Sequence, residues 1–269
     1  MADKRTASLP NVRRARGYRL YDHGGRRYLD LFQDNGRAIT GHRPAKTILE
    51  IKSLLSRGQI AAYPSVHTAQ ARRALETLVP EAAAVRIFSS PERALSAVRA
   101  HFGGDLTFDD IVDPALGRRR SGRAAYWRPF VDMDEIDAPV LLPVLPVATP
   151  PAAVSVVFRE RPGDGVPESD MCSPVAVAAL KRSIYDLLAY VEACDRSQWE
   201  RFDAYSLWTR RGPYLSLNVA ESDFVILHAD FMAHGLVISP CFPGPSIIPG
   251  EYSAGELAYI DHNFVGASS

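Results

Sequence analysis

The segment Gly17 to Pro44, GYRLYDHGGRRYLDLFQDNGRAITGHRP, constrains the fold more than any other part of the chain. Tyr18 to Tyr21 and Arg27 to Leu31 read as two strands, and Gly24-Gly25 between them suits a tight hairpin turn. Directly behind, Ala45 to Arg57 places Ile48, Ile51, Leu54 and Leu55 at helical spacing and stops before Gly58, giving a helix with one apolar face. His42, in Gly-His-Arg-Pro, is expected to mark chain reversal and packing rather than catalysis.

The same reading continues down the chain. Ser65 to Leu78 is a second helix stopped by Pro80, and Ala84 to Phe88 is a short buried strand. Ser90 can then cap a helix that opens at Pro91, where a missing N–H costs nothing, and runs through Leu95, Val98 and Phe102. Gly103 to Gly122 is polar and aperiodic and reads as a loop. Residues 171 to 195 form the longest helical stretch, with an apolar face from Val175 to Val191. Further on come a strand at Tyr214 to Leu217, a helix from Ser222 to His234 ended by Gly235, a strand at Leu236 to Ser239, and a capping box at Ser253-Ala254-Gly255-Glu256 opening a last helix.

Composition narrows the function classes. The 269 residues are 46% hydrophobic and 23% charged with zero net charge, enough for a large core and no field that would draw nucleic acid or anionic membranes. Arg118, Arg119, Arg120, Arg123 and Arg128, interleaved with Tyr126 and Trp127, read as a solvated loop in a neutral protein. Cys172, Cys194 and Cys241 are odd in number and far apart, which fits free thiols in a reducing, cytoplasmic setting. The basic start lacks the apolar run of a secretory signal, and the most apolar window, Pro139 to Phe158, is broken by five prolines, so it reads as buried strands and not a membrane span. The seven histidines show no H-x-x-x-H or H-E-x-x-H spacing, so no metal site is expected. No G-x-S-x-G, P-loop or Rossmann glycine series occurs.

Within Gly17 to Pro44, the residues Gly17, Asp22, Gly25, Tyr28, Asp30, Gly41, His42 and Pro44 follow G-x-x-l-x-D-x-x-G-x-x-Y-l-D and then G-H-x-x-P, with one residue fewer before the proline. This stretch resembles the amino-terminal signature of class III aminotransferases, pyridoxal phosphate (PLP) enzymes that include glutamate-1-semialdehyde aminomutase. Val85 to Arg99, VRIFSSPERALSAVR, is similar to that family's strand, S-G-[ST]-E loop and following helix. The resemblance implies that Ser89 and Ser90 hold the cofactor phosphate at a helix N-terminus, with Pro91 removing the hydroxyl and donor of the third position. Ser169 aligns with a threonine whose hydroxyl reaches the partner subunit's cofactor, although Cys172 and Ser173 replace the glycine and asparagine that follow. Asp134, in Asp134-Glu135-Ile136, imitates the aspartate that pairs with the ring nitrogen. Tyr214 to Phe264 resembles the carboxy-terminal small domain.

The implied fold is α/β: a PLP-dependent transferase scaffold of fold type I with a reduced large domain and an α+β small domain. Residues 1–80 would form the amino-terminal part of the small domain, 81–170 the large-domain remnant, and 171–269 the linker helix and carboxy-terminal small domain. Only about 70 residues separate Arg99 from Ser169, too few for the usual strand and helix series. The lysines are Lys4, Lys46, Lys52 and Lys181, so none lies between Pro80 and Leu180, where the family's Schiff-base lysine belongs. No histidine stands in between His101 and His228 to replace it. The expectation is therefore a pseudoenzyme with no catalytic residue and weak or absent PLP binding. Its role would be structural or the binding of a phosphorylated ligand, as a homodimer or as a heterodimer with a full-length paralogue. The alternative is a working aminotransferase or aminomutase in which Lys181 reaches the cofactor.

Overall fold

Two glycines and one carboxylate turn the first hairpin. The chain enters through β1 (Val12–Arg16), β2 (Arg19–Asp22) and β3 (Arg27–Asp30), which pair antiparallel in sequence order, with Leu20 opposite Tyr28. Gly25 adopts φ +82°, which an L side chain resists, and its N–H donates to the Asp22 carbonyl at 3.1 Å. The Asp22 carboxylate accepts from the Arg26 N–H at 2.9 Å and the Tyr28 hydroxyl at 3.0 Å, locking the turn. The structure is a computed structural model describing residues 7–117, 121–147 and 153–265.

Next comes a second compact unit, Pro44–Glu192. It opens with α1 (Ala45–Ser56) and α2 (Val66–Leu78), followed by β4 (Ala84–Phe88), α3 (Pro91–Phe102), β5 (Ala124–Trp127), β6 (Val140–Pro143), β7 (Val154–Phe158) and α4 (Pro174–Ala193). The strands form one mixed sheet in the order β4, β7, β6, β5, with β5 and β6 parallel and the other neighbours antiparallel. Strands β6 and β7 are buried along nearly their whole length, as a sheet covered on both faces requires. Phe88, Leu95, Val98, Val140, Leu142, Val156 and Phe158 share one core cluster, so α3 buries its apolar stripe on this sheet.

The remainder, Ala193–Ser269, joins Met1–Arg43 in the first unit. It contains α5 (Ser197–Glu200), β8 (Trp208–Arg211), β9 (Tyr214–Leu217), α6 (Phe224–Ala233), β10 (Leu236–Val237), β11 (Ser246–Ile247) and α7 (Ala258–Phe264). Strand β10 adds to the amino-terminal sheet, parallel to β3 with Leu236 beside Leu29, so the two ends of the chain share a sheet. Strands β11, β9 and β8 make a third, antiparallel sheet. Sequence reading placed boundaries at 80/81 and 170/171, whereas the units divide at 43/44 and 192/193. Helix α2 packs on β4, which carries residues 44–80 into the second unit.

Candidate functional site

Strand β4 delivers its chain end into α3 through Ser89 and Ser90. Ser90 has an extended backbone and its hydroxyl oxygen accepts from the Arg93 N–H at 3.3 Å, while Pro91 takes the first helical position and Gly103 closes the helix at φ +65°. Glu92, exposed in the first turn, has its pKa lowered chiefly by the Ser90 hydroxyl. The helix start is as its sequence foretells.

What faces that start is a carboxylate of the same chain. Asp170 Oδ2 accepts from the Ser89 N–H at 3.0 Å and from the Ser89 hydroxyl at 2.7 Å. Arg93 closes a fork on it, Nη2 to Oδ1 at 2.8 Å and Nε to Oδ2 at 3.3 Å. These bonds, Arg93 first and Ser89 after it, pull the Asp170 carboxyl down to about 2, against the opposing effect of burial. The Asp170 side chain is 14% exposed and Arg93 is 53% exposed, so the pair is anchored on one side and wet on the other.

The segment leading to Asp170 is stitched to β4. The Ser169 hydroxyl oxygen accepts from the Ile87 N–H at 3.0 Å, the Asp170 N–H donates to the Ile87 carbonyl at 2.8 Å, and Glu168 pairs with Arg86 at 2.8 Å. The structure thus brings Ser89, Ser90 and Ser169 to one end of β4, where Ser169 serves the backbone. Beside them opens a cleft of about 300 Å³, with Tyr63, Ser65, Thr68 and Arg72 on one wall and residues 168–172 on the other. Cys172, on its floor, is buried, and that burial pushes its thiol up to about 11, so no thiolate nucleophile is presented.

Asp134 is elsewhere. It sits in an exposed turn, with its N–H bonded to the Asp132 carboxylate at 3.0 Å, and it does not line the cleft. Lys181 Nζ, on α4, donates to Glu50 Oε1 of α1 at 2.6 Å and to Gln70 Oε1 of α2 at 3.4 Å. Lys46 and Lys52 are exposed on α1, and Lys4 lies outside the described residues. Arg118, Arg119 and Arg120 also lie outside them. Arg123 donates to the Asp105 carbonyl at 2.8 Å. Arg128, expected on a solvated loop, instead follows directly on β5, is fully buried and forks onto Asp113 at 2.6 and 2.7 Å, an internal carboxylate that takes the place of water around its charge. Asp170 and Arg93 escaped the sequence reading. The signal available was Asp170 immediately after Ser169, within the segment aligned to a cofactor-binding stretch.

No family profile matches the chain. It is 26% identical over 287 residues to an uncharacterized protein of Treponema pallidum, with 88% of each chain covered. It is 27% identical over 253 residues to one of Borreliella burgdorferi, covering 93% of this chain and 88% of that one. Among solved structures it is similar to an omega-transaminase from Sphaerobacter thermophilus, at TM-score 0.67 and 15% identity over 96% of this chain and 91% of that one. An ornithine aminotransferase from Toxoplasma gondii gives TM-score 0.66 at 12% identity, covering 96% and 92%. An acetylornithine aminotransferase from Elizabethkingia anophelis gives 0.63 at 12%, covering 94% and 92%. The fold is that of the class III aminotransferases. At such identities the likeness speaks for the backbone arrangement alone.

A PLP phosphate at the start of α3 would need the donors that Asp170 already takes, and would sit against an ionised carboxylate. As arranged, the donor set does not fit the group.

Proposed function

We propose that this chain keeps the aminotransferase fold as a scaffold and has given up Schiff-base chemistry. The observation that carries this reading is Lys181, the lysine left to a displaced active site, whose Nζ is an ion-paired donor to Glu50 at 2.6 Å with its side chain 17% exposed. An amine attacks a carbonyl through its lone pair, and one held against a carboxylate on a neighbouring helix is turned away from that task. Its pairing with α1 and α2 gives Lys181 a packing role on α4 instead. Asp170 supports the same reading, because a fixed negative charge at the start of α3 opposes a phosphate there. Of the two roles left, structural partner and weak phosphate binder at Ser89 and Ser90, the first is favoured. The second requires Asp170 to be displaced or neutralised.

The partner we infer is a second copy or a longer paralogue, since Leu49, Leu55 and Ile60 are 66%, 49% and 62% exposed on one unit and invite cover. Sedimentation at micromolar concentration tests this, and a well-folded monomer contradicts it. The loss of Schiff-base chemistry is tested by titrating the purified chain with PLP and following aldimine absorbance. The expected spectrum is that of free PLP; a saturating aldimine band that disappears in Lys181→Met would restore the reading of a working enzyme.

A further inference from the structure

The cleft beside the serine turn holds a guanidinium that nothing among the described residues neutralises. Arg72 is half-buried on α2, makes no ion pair, and has its Nε sealed from solvent without a hydrogen-bond partner among the described residues. A charged donor is costly to strand in this way, since it has lost water and gained no acceptor. Ser65 repeats the pattern on the same wall. It stands at the N-cap of α2 yet makes no capping bond, and its hydroxyl oxygen is also buried without a partner among the described residues. Thr68 lies between them, and its side chain makes no hydrogen bond among the described residues. Positions 65, 68 and 72 differ by three and four, so one stripe of α2 presents all three into the cleft.

The carboxylates on the opposite wall do not answer this charge. Glu168 is paired with Arg86 and Asp170 with Arg93, each at 2.8 Å, whereas Arg72 is the one cation lining the cleft among the described residues. The contrast with α3 is direct: there the cap hydroxyl is spent on Arg93 N–H and an internal carboxylate completes the site, while at α2 both hydroxyl and cation wait for an acceptor. A planar fork of donors flanked by hydroxyls suits an oxyanion. The volume of about 300 Å³ is that of a small-molecule site.

We propose that this cleft binds a small oxyanion, the carboxylate or phosphate group of a metabolite-sized ligand, through the Arg72 guanidinium and the Ser65 and Thr68 hydroxyls. The site shares its Asp170 wall with the serine turn at α3 but takes its donors from α2, and it stands whether or not Schiff-base chemistry is lost. Tyr63, 70% exposed at the rim, supplies an aromatic face for the rest of such a ligand.

The test is titration of the full chain with inorganic phosphate and, separately, with acetate, following the Arg72 Nε–H resonance and the thermal midpoint. A saturable shift of that resonance with a rise in midpoint is expected for at least one anion, and the tighter of the two identifies the ligand class. Arg72→Gln should weaken binding by about tenfold or more and Thr68→Val by a few-fold, roughly the worth of a charged and a neutral hydrogen bond. The exposed neighbour Arg73→Gln should change nothing. If Arg72→Gln fails to fold, Thr68→Val and Ser65→Ala decide. No shift with either anion at tens of millimolar, or affinity unchanged in the variant that decides, overturns the proposal.

Discussion

The two stretches that most resemble the aminotransferase family, Gly17 to Pro44, which lies in the first unit up to Arg43, and Val85 to Arg99 in the second, put their residues to different use. In the first, Asp22 and Asp30 hold backbone N–H groups. Asp30, 2% exposed, accepts from the Phe32 and Gln33 N–H groups at 2.9 Å each, and its second oxygen meets His42 Nε2 at 2.8 Å. The His42 N–H donates to the Gly17 carbonyl at 2.6 Å, and Gly41, at φ +85°, lies so close to Gly17 that a Cβ would touch its carbonyl. In the second stretch, the strand, cap and helix persist while the donors facing the helix start are taken by Asp170. The difference teaches that residues matching a signature can serve the fold in one place while, in another, an internal carboxylate takes the donors a ligand would need.

Breaking the first region should cost most. We predict that Asp30→Ala lowers stability by about 3 kcal/mol, because two backbone N–H groups and His42 lose one buried acceptor together. Urea unfolding measures it, and a cost under about 1 kcal/mol would mean that the signature is not what holds this loop. In the second region Asp170→Asn should cost only about 1 kcal/mol, since water screens the half-exposed Arg93. That variant should also gain phosphate binding at the α3 start, in a manner abolished by adding Ser89→Ala. Absence of any gain would show that something other than the Asp170 charge closes that turn.

A pH series sharpens the same contrast. Because the folded Asp170 carboxyl is depressed to about 2, its contribution is present above the usual carboxylate range and is lost as pH falls from about 4 towards 2. The unfolding midpoints of the wild type and Asp170→Asn should therefore converge across that window, and parallel curves would contradict the assignment. Smallest of all, Ser90→Ala should cost about 0.5–1 kcal/mol through the lost cap, with no change in ligand affinity at Arg72. A loss of that affinity in Ser90→Ala would show that the α3 start, and not α2 alone, supplies the donors of the Arg72 cleft.

Much of the fold was legible in the sequence where local chemistry decides local structure. Ser90-Pro91 and Gly103 bracket α3, Gly24-Gly25 marks the hairpin turn, and Ser253 to Glu256 forms its reciprocal cap with the Ser253 N–H on Glu256 at 2.8 Å. Strand β1 was missed because VRRAR is basic and exposed, with no apolar alternation to betray it. Strand β8 was missed for the same reason, its WTRR burying one residue. At the candidate site, Ser89, Ser90 and Ser169 were legible as a group. Asp170 was not, because its partners Ser89 and Arg93 lie 81 and 77 residues away and no local pattern encodes a pairing that distant. Arg72 was hidden for another reason: nothing in a sequence separates a helical arginine with a counter-ion from one without.

We propose an aminotransferase fold without a lysine placed for Schiff-base chemistry. It is tested most directly by incubating the full chain with PLP, reducing with borohydride and mapping every modified lysine by mass spectrometry. Unselective, substoichiometric labelling spread over the exposed Lys46 and Lys52 is the expected result, with Lys181 held by Glu50 and unmodified. Stoichiometric labelling confined to Lys181, and lost in Lys181→Met, would contradict the account.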